Sequence, residues 1–597
     1  MLATTVALAA VAIFYSNTVT CIMNNQLWQQ NLTMESLHPE VNERPWIVQK
    51  YGGTSVGKFL DVIAREITPS YLATNRVVIV CSARSGKTKA LGTTSLLLKA
   101  AAQAIEGPSL RDPSLFLREQ SLSTPTELSR AQYDCTVDLI INEHLEAARA
   151  TLPNAPELLA ELEVDINQDC ERLRAFLGAA QIIHEVSPRS RDIIMGLGER
   201  LACRLLVATL KSTGLAADLV CLEDIVGDMD HEAARTGYVA EGAAYLDQAF
   251  YDQLCVAIAN RLKKCTGIPV VTGYFGDVPG SLLSQVGRGY TDLCAALCAV
   301  GMKASELQIW KEVDGVFTAD PRKVPTARLV PAITPEEAAE LTYYGSEVIH
   351  PFTMEQAIKK SIPIRIKNVQ NPRGCGTVIF PDSEDKARLG QDPFLDGHVA
   401  QPEPPESGPR VPLLPGGPVV CTSGKEQTRK LPTAVTIKDN IIVLNVHSNR
   451  KTISHGFFAR IFGTLDRYGV VVDLISTSEV HVSMALTASI KARTLEHLRN
   501  ELQHIGTVSV IRDMVILSLV GKQMRHMVGV AGRMFSTLAE GNVNIEMISQ
   551  GANEINISCV IHERLAMKAL NLIHYSILEL SPKPVNMEGG SFGLSFF

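Results

Sequence analysis

The chain has 597 residues, a net charge of −7 and 46% hydrophobic residues, enough for about three to four well-cored domains. An acidic balance supplies no basic field, which argues against nucleic acid as a partner. The 13 cysteines are odd in number, scattered and without CxxC spacing, so reduced thiols in the cytoplasm are expected rather than disulfides or a zinc site.

Leu2 to Phe14 is apolar, about half the ~20 residues of a membrane span. It lacks the positive flank of a secretory signal, and no membrane association is expected. Met34 lies just upstream of the first strand. Residues 1–45 read as a leader, with 1–33 either dispensable or an over-extended reading frame.

Trp46 to Lys58 follows. Trp46, Ile47 and Val48 open a buried strand, Lys50 comes next, then Gly52, Gly53, Thr54 and Ser55. A helix is expected from about Gly57 to Ile67. Free amides and the positive dipole end of a helix attract an anion. Glycines let a phosphate reach the backbone, and Lys50 adds a full charge. The stretch reads as a phosphate cradle. It is not a Walker A loop, because Phe59 stands where a hydroxyl is required. A second near match, ending in Gly86-Lys87-Thr88, has Cys81 in place of its first glycine. Two glycines alone would indicate only a tight turn; the lysine and hydroxyls beside them add specificity.

Arg76 to Ser82 reads as a buried parallel strand. Helical spacing over 93–106, 128–150, 155–178 and 191–212 predicts a helical insert. Further strands are expected at 218–222, 268–273 and 307–310, with a small-residue helix from Asp292 to Val300. The last αβ unit ends near Phe380. Strands alternating with helices predict a three-layer α/β domain with a mostly parallel sheet.

Three clusters on this domain carry chemistry. Glu199 follows Gly196 and Gly198 into a helix; it suits an ammonium group, or is simply a first-turn carboxylate. Arg288 lies between Gly287 and Gly289, ahead of Thr291 and Asp292. An arginine so placed grips a carboxylate with two hydrogen bonds. Asp292 is either a helix cap or a partner for Lys50. The third cluster, Trp310 to Arg322, follows a strand at the carboxyl edge where open α/β sheets bind ligands; it is a nucleotide wall or a plain surface loop.

Prolines crowd residues 389–430, a linker. An internal repeat lies beyond it. Phe462-Gly463-Thr464-Leu465 matches Phe535-Ser536-Thr537-Leu538, and Asp473-Leu474-Ile475-Ser476 matches Glu546-Met547-Ile548-Ser549, both offset by 73 residues (535 − 462 and 546 − 473). Each copy reads strand, helix, strand, strand, helix, strand, a ferredoxin-like unit. Such pairs serve as a dimer platform or bind a small ligand.

The motifs KYGGTS, GRGYTD, EVDGVFTADPR, ELTYYGSEVIHP, DLISTSE and EMISQGANEINIS occur in one order over about residues 46–585. In them the chain resembles the aspartate kinases of the fungal type, with an amino acid kinase domain and two C-terminal ACT domains. The resemblance implies a three-layer amino acid kinase fold over 46–388 and two ferredoxin-like ACT α+β domains at 431–512 and 513–585, with a tail at 586–597. It implies ATP, Mg²⁺ and L-aspartate as the reacting set, no metal held by the protein alone, threonine as feedback inhibitor, and a homo-oligomer built through the ACT domains. By position, Lys50, Asp292 and Gly53 are catalytic. Thr54, Ser82, Glu199, Arg288 and Thr291 bind substrate, Glu199 meeting its ammonium and Arg288 its α-carboxylate. Lys50, Gly52, Gly53, Lys311, Glu312, Phe317 and Arg322 bind ATP. Ser454, Gly456, Phe457, Phe458, Asp473, Ser478, Glu479, Gln550, Asn553 and Glu554 form the allosteric set. Many relatives have Thr-Asp at Lys311-Glu312 and a lysine at Glu347, so a cation has moved between nucleotide positions. Other readings are an amino acid kinase of the glutamate or acetylglutamate type, or an inactive ACT-bearing sensor.

Overall fold

The computed structural model describes residues 44–86, 88, 91–106, 131–229, 238–240, 243–276, 278, 281–346, 349–380, 431–448, 456–522, 524, 527–551 and 555–578. The expected three-layer domain is present. An eight-stranded sheet runs in the order β3-β6-β2-β1-β7-β9-β10-β8. Its strands are β1 (Trp46–Tyr51), β2 (Arg76–Cys81), β3 (Ala217–Val220), β6 (Ile268–Thr272), β7 (Glu306–Lys311), β8 (Ala332–Ile333), β9 (Ile364–Asn368) and β10 (Thr377–Ile379). A separate hairpin of β4 (Tyr238–Ala240) and β5 (Ala243–Tyr245) stands apart. Every pairing in the large sheet is parallel except β9 with β10.

Strand β1 is near-continuously buried, as a central parallel strand must be. Its neighbours are β2 and β7, with Lys50 opposite Val80 and Ile309. The first helix, α1 (Gly53–Lys58), starts earlier than the glycine pattern suggested. Gly52 is extended (φ −73°, ψ 165°) and caps it, and the run breaks at Phe59 (φ −129°) before resuming at Leu60. The helical insert comprises α2 (Thr93–Glu106), α3 (Gln132–Thr151), α4 (Pro156–Ile183) and α5 (Pro188–Ser212). Ser187 Oγ accepts from Ser190 N to cap α5, which fixes its start three residues before the apolar periodicity begins. These helices bury Tyr51, Ile79 and Trp310 on one face of the sheet. The other face packs on α6 (Gln248–Leu262), α7 (Tyr290–Met302), α8 (Pro335–Tyr343) and α9 (Pro351–Lys359).

The C-terminal region is one six-stranded antiparallel sheet, β12-β13-β11-β14-β16-β15. Its long central strands, β11 (Ala434–Ser448) and β14 (Gly506–Val520), pair along their length with register shifts between Lys438 and Val443. The others are β12 (Val472–Ser478), β13 (His481–Thr487), β15 (Met547–Ser549) and β16 (Asn556–His562). Helices α10 (Phe457–Arg467) and α11 (Ala492–Gln503) cover the first copy, and α12 (Val530–Glu540) and α13 (Ala566–Ile573) the second.

The duplication is written in the backbone. Asn440 and Asp513, Gly456 and Gly529, and Gly469 and Asn542 all have left-handed φ, between 51° and 89°, and each pair is 73 residues apart (513 − 440, 529 − 456, 542 − 469). Only glycine and small polar side chains take that conformation readily. One element departs from the sequential reading. The strand that closes the second copy does not follow α13: residues 434–438 pair with 516–520 and pack Val435 and Ile437 against Leu570 and Ile573. The second copy is therefore completed by the segment that enters the first.

The two regions share an interface. Glu337 of α8 is buried; its Oε1 accepts from Thr433 Oγ1 (2.6 Å) and Lys522 N (2.7 Å), and its Oε2 from Thr334 N (2.9 Å). Tyr344 packs on the six-stranded sheet with Ile441, Leu474, Met514 and Met547. Glu337→Ala leaves the buried Thr334 amide unmet, at ~1–3 kcal/mol, and removes the acceptor of the half-buried Thr433 and Lys522 donors. It is expected to lower the calorimetric midpoint and to raise hydrogen exchange at residues 518–522. Unchanged exchange there would show that Glu337 does not hold the junction.

Candidate active site

The parallel order of β2, β1 and β7 brings three chain segments to the carboxyl edge of the sheet. Residues alternate faces along a strand. Tyr51 points to the helical insert, so Lys50 points to the α7 side. There Lys50 Nζ lies 2.7 Å from Asp292 Oδ1, with side chains 12% and 18% exposed. Asp292 sits in the first turn of α7, where the helix dipole favours a carboxylate. Of the sequence alternatives, the lysine partner is the one observed: the cap position of α7 is Gly289, Asp292 is its third residue, and it pairs with Lys50.

The neighbouring Thr291 donates from Oγ1 to Glu199 Oε1 at 2.6 Å. Glu199 is buried in the middle of α5 and not in the first turn. Burial pushes its carboxyl up to about 7, against hydrogen bonds from Thr291 and Tyr290 and the charge of Lys50, which favour ionisation. One turn of α7 therefore holds both the lysine's partner and the glutamate's partner.

Close backbone approaches make room for this. A Cβ at Gly53 would collide with the carbonyl oxygen of Ala83, and one at Gly273 with the side chain of Thr291. Ser85 N donates to Gly53 O at 2.9 Å, which holds the glycine turn against the loop after β2. Gly52 is not under the same constraint: a Cβ there would lie 3.9 Å from Lys50 Nζ, an ordinary contact. Ser82, half-buried, donates its amide to Tyr51 O at 3.1 Å. Thr54 is half-buried in α1. Arg288 lies in the turn Gly287–Gly289 just before α7; its side chain is outside the described residues.

The expected nucleotide set separates. Lys311 ends β7, and Glu312 Oε1 accepts from Ser55 Oγ at 2.8 Å, beside the glycine turn. Phe317 is half-buried and bridges to Leu329. The Arg322 side chain is 89% exposed and pairs with Asp320 at 2.9 Å, on the flank facing the ACT region. Glu347 is outside the described residues.

In the allosteric set, Gly456 caps α10 with φ 82°. Phe457 is buried and Phe458 exposed. Asp473 is bound by Lys438 Nζ (2.8 Å), Thr487 Oγ1 (2.8 Å) and, from the catalytic domain, Tyr343 Oη (3.3 Å). Ser478, Glu479 and Gln550 are exposed. Ser454, Asn553 and Glu554 lie outside the described residues.

Sequence reasoning passed over several residues. Ser55 sat inside the quoted motif and was assigned no partner. Asp192 binds Ser281 Oγ and the amides of Leu282 and Leu283, fixing the loop before Arg288; no local pattern marks it. Buried His574, from the second ACT copy, meets Thr318 Oγ1 at 2.9 Å, a contact across 256 residues.

The amino acid kinase family matches residues 45–368 and the ACT domain residues 517–577. The aspartokinase of Schizosaccharomyces pombe is 49% identical over 535 residues, covering 89% of this chain and 93% of that one. The chain belongs to the aspartokinase family. The aspartokinase of Saccharomyces cerevisiae is 46% identical over 551 residues, covering 90% and 94%. The crystal structure of E. coli aspartokinase III in complex with aspartate and ADP is 25% identical, with a TM-score of 0.61, covering 89% of this chain and 100% of that one. Among the described residues of this aspartokinase, no helix is long and apolar enough to cross a membrane.

A carboxyl raised to about 7 keeps a proton in the folded protein that the unfolded chain releases near 4.5. Stability therefore falls as pH rises through that window and levels off above it. The ionised form is disfavoured by ~3 kcal/mol. Between about pH 5 and 7.5 the calorimetric midpoint of wild type is expected to fall relative to Glu199→Gln. Parallel curves would contradict the assigned ionisation.

Proposed function

We propose that this aspartokinase transfers the γ-phosphoryl group of ATP to the side-chain carboxylate of L-aspartate, with Lys50 as the charge-neutralising catalytic residue. The observation that carries the reading is the Lys50–Asp292 pair beside the Thr291–Glu199 pair at the start of α7. The first pair provides a fixed cation and the second a buried acceptor for an ammonium group. The family membership directs the choice of substrate.

The chemistry needs no general base. A free aspartate side chain has a pKa near ~3.9 and is ionised at neutral pH. Its oxygen attacks the γ-phosphorus, the bond to the β–γ bridging oxygen breaks, and ADP leaves with that electron pair; the product is 4-phospho-L-aspartate. Positioning and charge neutralisation supply the rate. Lys50 faces the transferring group, held in line by Asp292. Gly52 and Gly53 offer backbone amides to the phosphates, with Thr54 and Ser82 at the rim. Glu199, oriented by Thr291, takes the substrate ammonium, and Arg288 takes the α-carboxylate. Lys311, Glu312 and Phe317 line the nucleotide side; Arg322 reaches it from the loop flank. Mg²⁺ would arrive on the nucleotide, since it keeps several waters and few protein ligands, and it supplies further neutralisation of phosphate charge.

The ACT region is read as the sensor for threonine, with Gly456, Phe457, Phe458, Asp473, Ser478 and Glu479 around the start of α10. Gln550, near the equivalent place in the second copy, is read as a partner contact in a homo-oligomer. Asp473 suits an ammonium group and is already tied to Tyr343 of the catalytic domain. The product would enter threonine and methionine formation in the cytoplasm.

An aspartyl-hydroxamate assay with ATP and Mg²⁺, run against glutamate and N-acetylglutamate, tests the reading; turnover of either alternative in preference to aspartate would reject it. Lys50→Ala is expected to lose at least ~10²–10³ in kcat with an unchanged circular dichroism spectrum. Asp473→Ala is expected to raise the threonine concentration for half-inhibition by at least ~tenfold, within a coupling of ~1–3 kcal/mol. Undiminished inhibition in that variant would place the effector elsewhere.

A further inference from the structure

The sheet face away from Lys50 is polar over β7 and β9. By alternation it carries Glu306, Gln308 and Trp310 from β7 and Arg365 and Lys367 from β9. A cavity of about 430 Å³ opens there, lined by Tyr71, Asn75, Gln308, Arg365, Lys367 and Arg373 among others.

The charges in it do not cancel. Arg365 Nε is paired with Glu306 Oε2 at 2.7 Å. Lys367 is buried, its Nζ 3.0 Å from Tyr71 Oη and 5.2 Å from the Trp310 ring centroid. No carboxylate among the described residues lies within ion-pair distance of it. Burial, and the nearby Arg365, pull its ammonium down to about 8. Arg373 adds an exposed guanidinium at the mouth. The nearby carboxylate that acts on it, Glu306, is already paired with Arg365; a buried ammonium so weakly compensated is costly, and cation–π contacts return only part of that cost. A lysine serving only to pack would not need an open cavity beside it.

We propose that this cavity is a second small-molecule site, which holds a metabolite bearing two or more negative charges, as phosphate or carboxylate groups, between Lys367 and Arg373. The site is independent of the reading of the Lys50 centre. It is also connected to that centre. Trp310 stacks on Tyr51 with ring centroids 5.9 Å apart. Tyr51 follows Lys50 in β1, and Trp310 precedes Lys311 in β7. A ligand against Lys367 is one aromatic layer from both catalytic-edge residues, the position of an effector rather than a substrate.

The test uses the full chain, saturated with ADP, Mg²⁺ and aspartate so that the first site is filled, at constant free Mg²⁺ and ionic strength. Lysines are acetylated with dilute acetic anhydride, and the rate at Lys367 is read by peptide mass spectrometry. Inorganic pyrophosphate or citrate is expected to slow acetylation of Lys367 at least ~tenfold, and singly charged acetate is not. Protection by pyrophosphate alone identifies a phosphate ligand, and protection by citrate alone a polycarboxylate. Arg373→Ala, a change at an exposed position, is expected to raise the protecting concentration at least ~tenfold while leaving the unprotected rate unchanged. Equal Lys367 rates with and without both polyanions, or protection indifferent to Arg373→Ala, would overturn the proposal.

Discussion

The 2.7 Å contact between Lys50 and Asp292 is the constraint around which the catalytic domain is arranged. Two largely buried charges are tolerated only when each fixes the other. The contact requires β1 in the centre of the sheet and α7 to begin at its carboxyl edge. Both follow from patterns the chain states plainly: a continuous apolar strand on one side, and a helix of small buried residues, Ala295, Ala296 and Ala299 among them, on the other. The close approaches of Gly53 to Ala83 and of Gly273 to Thr291 bring the surrounding backbone in beside the pair.

The ACT region bears on the same edge through the run after β7. Val435 N donates to Thr318 O at 2.8 Å, and Arg328 Nη2 to Leu578 O at 2.7 Å. Ala319 and Val324 of this run pack in the core of the second copy. The run after β7 is thus partly held by contacts with the ACT region. A rearrangement of the ACT sheet has a hydrogen-bonded and packed route to this run, with no need for long-range signalling through the kinase core.

Much of this was legible in the chain. The glycine turn after Lys50, the strand edges and the 73-residue repeat are local or periodic signals, and local signals survive in a single sequence. The α1 boundary was misjudged because Gly52 and Gly53 read as turn, while the backbone uses one as cap and the other as first helical residue. Glu199 was placed in a first turn, but the helix begins eleven residues before it at Pro188, after the Ser187 cap. What stayed hidden were pairings across the chain: His574 with Thr318, Glu337 with Thr433 and Lys522, and Asp473 with Tyr343. No spacing rule reaches over such separations. The polar face at Gln308, Arg365 and Lys367 also hid, because alternating polar residues on a strand read as solvent-facing until the covering helices are placed.

The shared strand β11 has a consequence for biogenesis. Its first half leaves the ribosome well over a hundred residues ahead of α13, against which it packs. Until α13 emerges, an apolar β-edge stands open, the kind of surface that recruits other chains. Contacts this distant along the polymer also slow assembly. The six-stranded sheet therefore matures only after α13 has emerged, and the run after β7 that packs on it takes its final shape no earlier.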